Sequence, residues 1–161
     1  MKKVLIKEEV CNLLNKALGK ELYVSHLYKH VANQLQTLGF FGTQKFFLNE
    51  SADELTHYQK IVDYLNDMGD TAKMPEVPAM TEKVTSIGDA LKIAFDQEVA
   101  LMNFYGSMCD KADHITKQFL LQFIEIQRTS VGEYGDLIAR YERLAGDTCG
   151  FIIFDQEMNG L

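Results

Sequence analysis

Four stretches of this chain carry an apolar face at the helical period, and each face is interrupted near its midpoint by a polar residue. The first, over residues 7–38, reads Leu14, Leu18, Glu21, Ser25, Tyr28, Ala32 and Leu35 at alternating spacings of four and three, one continuous face of a long helix. The second, over 43–68, reads Phe47, Glu50, Glu54, His57, Ile61, Tyr64 and Met68. The third, over 86–112, reads Leu91, Phe95, Glu98, Met102, Tyr105 and Cys109, and the fourth, over 113–145, reads Leu120, Ile124, Gln127, Val131, Tyr134, Ile138 and Tyr141. Gly39 and Gly42 break the first pattern, Gly69 ends the second and Gly146 closes the fourth, as glycine does beyond a helix C-terminus. The apolar tail from Phe151 to Met158 predicts one more brief helix. There is no hairpin signature, glycine-rich phosphate loop or internal repeat.

Four helices of this length make a bundle, and the connections between them say which kind. Those near 39–42 and 112–114 are short. The connection over 69–85 holds the only two prolines, Pro75 and Pro78. Fully extended it could span roughly 55 Å, whereas the second helix is roughly 40 Å long. It is long enough to cross the whole bundle, although a loose surface loop between antiparallel neighbours would have the same length. The expected fold is all-α: a four-helix bundle with a long crossover between helices 2 and 3 and a short C-terminal fifth helix. At 161 residues and 18.3 kDa, the chain reads as a single domain over 1–161.

A net charge of −7 argues against nucleic acid as a partner, because phosphate binding needs a basic surface, and is compatible with cations. The first residues hold only Val4, Leu5 and Ile6 between charges, too few for a signal-peptide core. No apolar run reaches the length of a membrane span. Cys11, Cys109 and Cys149 are odd in number and widely spaced, which fits a reducing cytoplasm.

The chemistry lies in the polar interruptions. In a bundle of similar helices the midpoints lie at one level, so Glu21, Glu54 with His57, Glu98 and Gln127 would meet inside the core. Three buried carboxylates without partners repel one another and are costly to desolvate; a divalent or trivalent metal removes that cost. Glu54 and His57, three residues apart, share one helix face and can reach one centre. Carboxylate and imidazole ligands of this kind suit iron or manganese. A helical-bundle module that binds a partner rather than a metal remains the alternative on the residues alone.

These positions resemble the non-haem ferritins along essentially the whole chain. Glu21-Leu22-Tyr23 with Tyr28 is similar to the family's first-helix motif, Asp53-Glu54-Leu55-Thr56-His57 to its second-helix ExxH, and Glu98 and Gln127 to its third- and fourth-helix positions. Leu144-Ala145-Gly146-Asp147 and Gly150 to Asp155 are similar to the passage into its short fifth helix. The resemblance implies a ferroxidase that oxidises Fe(II) with dioxygen or peroxide at a di-iron centre, two irons per subunit, and stores ferric mineral in a hollow homo-oligomeric shell of twenty-four subunits. Glu21, Glu54 and His57 would hold the first iron, Glu54 would bridge, Glu98 would hold the second with Gln127 beside it, and Tyr28 would stand close to the centre as an electron donor. A non-catalytic ferritin-like structural subunit is the other reading the resemblance leaves. Bacterioferritins carry a second ExxH on helix 4 and a haem-binding methionine beside the second-helix Glu. Here those places read Gln127-Arg128-Thr129-Ser130 and Leu55, so neither a symmetric centre nor haem is expected. Ile126, Thr129 and Ser130 stand where many bacterial ferritins place glutamates for a third iron. His26 and His30 point away from the core, and Glu50 faces as Glu54 does, one turn off.

Overall fold

The computed structural model describes residues 2–161; Met1, where the expected domain begins, lies outside them. Five helices follow in order: α1 (Glu8–Thr37), α2 (Phe41–Asp67), α3 (Ile87–Lys111), α4 (His114–Glu142) and α5 (Thr148–Met158). No strand occurs among the described residues, and none of their helices is long and apolar enough to cross a membrane. Helices α1 and α2 form one antiparallel pair and α3 and α4 a second. A single hydrophobic core runs between them from Ile6 to Met158.

Helix ends follow local chemistry. After α1 and α2 the chain turns through Gly39 (φ 85°) and Gly69 (φ 88°). In each case the next amide reaches back across the turn, Phe40 N to Leu35 O at 3.0 Å and Asp70 N to Leu65 O at 3.0 Å, a closure that needs the left-handed conformation glycine adopts freely. Ser86 caps α3 by accepting from Asp89 N, and Asp113 caps α4 by accepting from Ile115 N and Thr116 N, as short polar side chains do at helix starts. The fourth helix stops at Glu142, earlier than the glycine at 146 suggests, because Ala145 already has a positive φ of 46°.

The connection over 68–86 is a crossover, and its hydrogen bonds trace its path along α1. Lys73 N donates to Asn15 Oδ1 (2.7 Å), Tyr23 Oη donates to Glu82 Oε1 (3.1 Å), and Val84 N donates to Gln34 Oε1 (3.0 Å). From Asn15 to Gln34 is about 28 Å of helix at 1.5 Å per residue, so the segment carries the chain back along the bundle and α3 descends antiparallel to α1. His30 belongs to this strap: its Nε2 lies 2.8 Å from the Glu82 carbonyl. His26 is exposed with its Nδ1 on Leu22 O.

Helix α3 is rotated from the face its sequence suggests. Leu91, Glu98 and Tyr105 are buried as expected, but the stripe is completed by Ala90, Ala94, Leu101 and Met108, while Phe95, Met102 and Cys109 are half-buried. Small side chains at Ala90 and Ala94 let α3 sit close to its neighbours, and the larger Phe95 moves to the margin.

Gly42 does not break a helix; it lies in the first turn of α2. Phe40 offers α2 no side-chain cap, and the cap comes instead from α5. Asp155 accepts from Gly42 N (3.0 Å), Thr43 N (2.8 Å) and Thr43 Oγ1 (2.7 Å). A carboxylate there pairs with orphan amides and with the positive end of the helix dipole. A Cβ on residue 42 would stand 1.8 Å from the Asp155 carbonyl oxygen, so only glycine permits this approach. Asp155→Ala is expected to lower stability by about 1–2 kcal/mol and Gly42→Ala to undock α5. Urea unfolding, with proteolytic sensitivity of residues 148–161, measures both.

Candidate metal centre

The pairing of α1 with α2 is fixed by two buried serines. Ser25 Oγ donates to the Ser51 carbonyl and Ser51 Oγ to the Ser25 carbonyl, each at 2.7 Å. Small hydroxyl side chains let the two backbones approach, and their reciprocal bonds set the register. In an antiparallel pair with 25 opposite 51, residue 21 faces 55, so Glu21 meets the Glu54–His57 turn.

That meeting forms the centre. One ligand atom from each of Glu21, Glu54 and His57 lies within 4.8 Å of the others, and all three residues are buried. His57 Nδ1 is 3.0 Å from Glu54 Oε2 and 3.7 Å from Glu21 Oε2, so this nitrogen faces the carboxylates. Glu98 stands outside that cluster of three but borders it. It is buried, and one of its oxygens, Oε1, accepts from Tyr28 Oη. Gln127 is fully buried on α4. Four polar atoms of these residues have no hydrogen-bond partner, Glu21 Oε2, Glu98 Oε2, and Gln127 Oε1 and Nε2, and Gln127 follows by one helical turn Phe123, whose ring packs against His57 and Tyr105. Buried polar atoms are nearly always paired, and orphans on residues from three helices are what a cation would satisfy.

Charge follows the same logic. Burial disfavours the imidazolium of His57, yet hydrogen bonds and charge from Glu21 and Glu54 outweigh it and raise its pKa to about 10. Burial, with the neighbouring charge of Glu21, pushes Glu54 well above the carboxylate range. Glu21 is held below its usual value: burial opposes this, but the nearby His57 and Glu54 and the Tyr105 hydroxyl prevail. Glu98 is raised to about 7, chiefly by burial and, after the opposing bond from Tyr28, by the charges of Glu21 and Glu50. The metal-free centre is therefore held together by protons occupying places that a cation takes over.

Two tyrosines surround it, and one was not singled out by its sequence position. Tyr28 is fully buried against Phe47 and Tyr134 (ring centroids 5.6 and 6.5 Å). Tyr105, also fully buried, donates to Glu21 Oε1. The available signal was its position seven residues after Glu98, the same spacing as Tyr28 after Glu21. Glu50 is half-buried and accepts from Tyr134 Oη at 3.0 Å. Ser130, where a second histidine would stand by analogy with His57, is half-buried and too short to replace it. Carboxylates therefore dominate the α1–α2 side of the centre, and α4 brings the neutral Gln127 and Ser130.

The ferritin-like domain family matches residues 11–144, most of the chain and every residue of this centre. The chain belongs to the ferritin family. Its relatives include a probable bacterial non-heme ferritin-like protein of Haemophilus influenzae, 24% identical over 98% of both chains. A ferritin of Pacifastacus leniusculus is 28% identical over 93% of this chain and 87% of its own. Among solved structures, an open pore ferritin from Archaeoglobus fulgidus superposes with a TM-score of 0.94 at 20% identity over 98% of both chains. Chlorobium tepidum ferritin superposes at 0.84 with 24% identity, over 94% of this chain and 95% of its own. The bundle, crossover and fifth helix are thus a ferritin fold.

Because His57 carries a proton below about pH 10 and a metal requires the neutral nitrogen, binding of a divalent cation at pH 7 is expected to expel protons. Affinity should fall as pH drops from about 10, because His57 must give up its proton, and more steeply below about 7, where Glu98 also protonates. Calorimetry in two buffers of different ionisation enthalpy counts the protons. Binding with no proton release would contradict this account.

Proposed function

We propose that this ferritin is an iron-storage protein whose core oxidises Fe(II) with dioxygen or peroxide, two irons per subunit. The observation that supports it most is the buried Glu21–Glu54–His57 cluster together with unpartnered buried atoms on Glu21, Glu98 and Gln127. A purely structural subunit has no use for such a set, since apolar side chains of similar volume would cost less to bury. In this reading Fe(II) is the substrate. Glu21, Glu54 and His57 bind the first ion, Glu54 reaches both, and Glu98 with the Gln127 amide oxygen binds the second. Dioxygen or peroxide accepts the electrons. Tyr28, bonded to Glu98, is close enough to supply a further electron. The first position has two carboxylates and an imidazole, whereas the second has one carboxylate of its own and neutral neighbours. Iron therefore fills the first at lower concentration and leaves the second more readily, toward storage.

Storage requires an enclosed space, and we propose a homo-oligomeric shell of twenty-four such single-domain subunits, working in the cytoplasm and without haem. Apolar side chains support assembly at the end of the bundle where α5 docks. Phe41 (64%), Ile152 (54%) and Ile153 (56%) are exposed in the lone chain, and a patch of this kind calls for a cover. The net charge of −7 per subunit would draw Fe(II) to the assembled surface.

Glu54→Ala tests the centre. It removes the group shared by both ions, and the apoprotein should still fold, because His57 keeps Glu21 beside it while one of three crowded carboxyls is removed. Stopped-flow absorbance at two Fe(II) per subunit is expected to show a loss of about a hundredfold or more in the rate of ferric formation. An unchanged rate would show that oxidation occurs elsewhere. Sedimentation of the same samples reports the shell, and a stable monomer at physiological salt would remove the storage reading.

A further inference from the structure

Glu98 and Tyr105 lie seven residues apart on α3, as Glu21 and Tyr28 do on α1. In this antiparallel pair residue 21 faces 105 and residue 28 faces 98, and the hydroxyls are exchanged between helices. Tyr28 donates to Glu98, and Tyr105 donates to Glu21. Each carboxylate is therefore divided. Glu21 has Oε1 taken by Tyr105 and Oε2 buried without a partner; Glu98 has Oε1 taken by Tyr28 and Oε2 likewise free. Tyr105 has little freedom to leave. Its ring stacks on Phe123, with centroids 5.1 Å apart and planes at 21°, and its side chain is fully buried.

We propose that Tyr105 is a positioning residue that confines Glu21 to one ligating oxygen. The proposal rests on the reading of the centre as the place where Fe(II) binds. Free carboxylates bind cations through one oxygen or two. With Oε1 engaged by the phenol, only Oε2 reaches the ion that His57 and Glu54 also hold. The ion keeps one coordination position open, which dioxygen or water can take, and the ferric product is held by one donor fewer. Turnover gains because a product bound less tightly leaves sooner. Removing the hydroxyl frees Oε1 to chelate.

The test is Tyr105→Phe, which deletes one oxygen and keeps the stacked ring, probed with Co(II) under anaerobic conditions. Co(II) reports coordination number through the intensity of its visible bands, and added donors weaken them. Relative to wild type, the variant should bind the first Co(II) about tenfold more tightly and show bands about twofold weaker. With Fe(II) and dioxygen, single-turnover oxidation should slow because the open position is filled, and multiple-turnover oxidation should slow further, severalfold in all, although the ion is held more tightly, a combination that loss of packing alone does not produce. The same Co(II) spectrum and affinity in variant and wild type, even with a lowered apoprotein melting temperature, would overturn the proposal and leave Tyr105 a packing residue. Weaker binding would also overturn it, because the hydroxyl would then be assisting the ion rather than limiting its ligand. Tyr28→Phe provides an independent arm: its spectral change should appear with the second Co(II), and a change confined to the first would overturn the divided-carboxylate geometry. Failure of the underlying reading looks different. Wild type and Glu54→Ala would then titrate identically with Co(II), and both readings would fall together.

Discussion

Placing three carboxylates and an imidazole at the centre of a helical bundle is the constraint on which the rest of this structure depends. Unpaired, such groups oppose folding. Here the opposition is relieved in three ways. His57 keeps a proton and bonds Glu54; Tyr28 and Tyr105 each donate to one carboxylate; and Glu54 and Glu98 resist ionisation. The remainder, four polar atoms on Glu21, Glu98 and Gln127, has nothing to bond, and it is these atoms that the proposed Fe(II) would satisfy. An apolar core from Ile6 to Met158 and two aromatic clusters, around Phe47–Tyr134 and Phe119–Phe123, surround the centre. They exclude the water that would otherwise solvate these atoms.

The placement of the centre depends on a few contacts remote from the chemistry. The serine clasp sets α1 against α2, so Glu21 reaches the Glu54–His57 turn. The crossover, tied along α1 from Asn15 to Gln34, makes α3 antiparallel to α1. That direction is what brings Tyr105 to Glu21 and Tyr28 to Glu98. Had the connection been a local turn at the same end, α3 would run the other way and the hydroxyl exchange could not occur. Asp155 then ties α5 to the start of α2, and the end of the bundle that presents exposed apolar side chains is held in one shape.

Much of this was legible in the residue order. Helix number, approximate bounds and the placing of Glu21, Glu54, His57, Glu98 and Gln127 on buried faces follow from local periodicity, and the length of the middle connection allowed a crossover without requiring one. An i,i+3 relation such as Glu54–His57 is a property of one helix and survives any packing. What the tertiary structure decided are relations between helices. Tyr105 appeared only as one aromatic on an apolar face, because its partner lies eighty-four residues away. The buried face of α3 lies one stripe from the one its period suggests, since Ala94 and Phe95 compete for the same margin and only the neighbours' shapes choose between them. Gly42 read as a breaker because nothing nearby in the chain announces that a backbone carbonyl from residue 155 will close on it. The period of a single helix determines which residues share a face. The rotation and register of one helix against another, which determine the atoms that meet, depend on side-chain volumes and hydrogen bonds supplied by other parts of the chain.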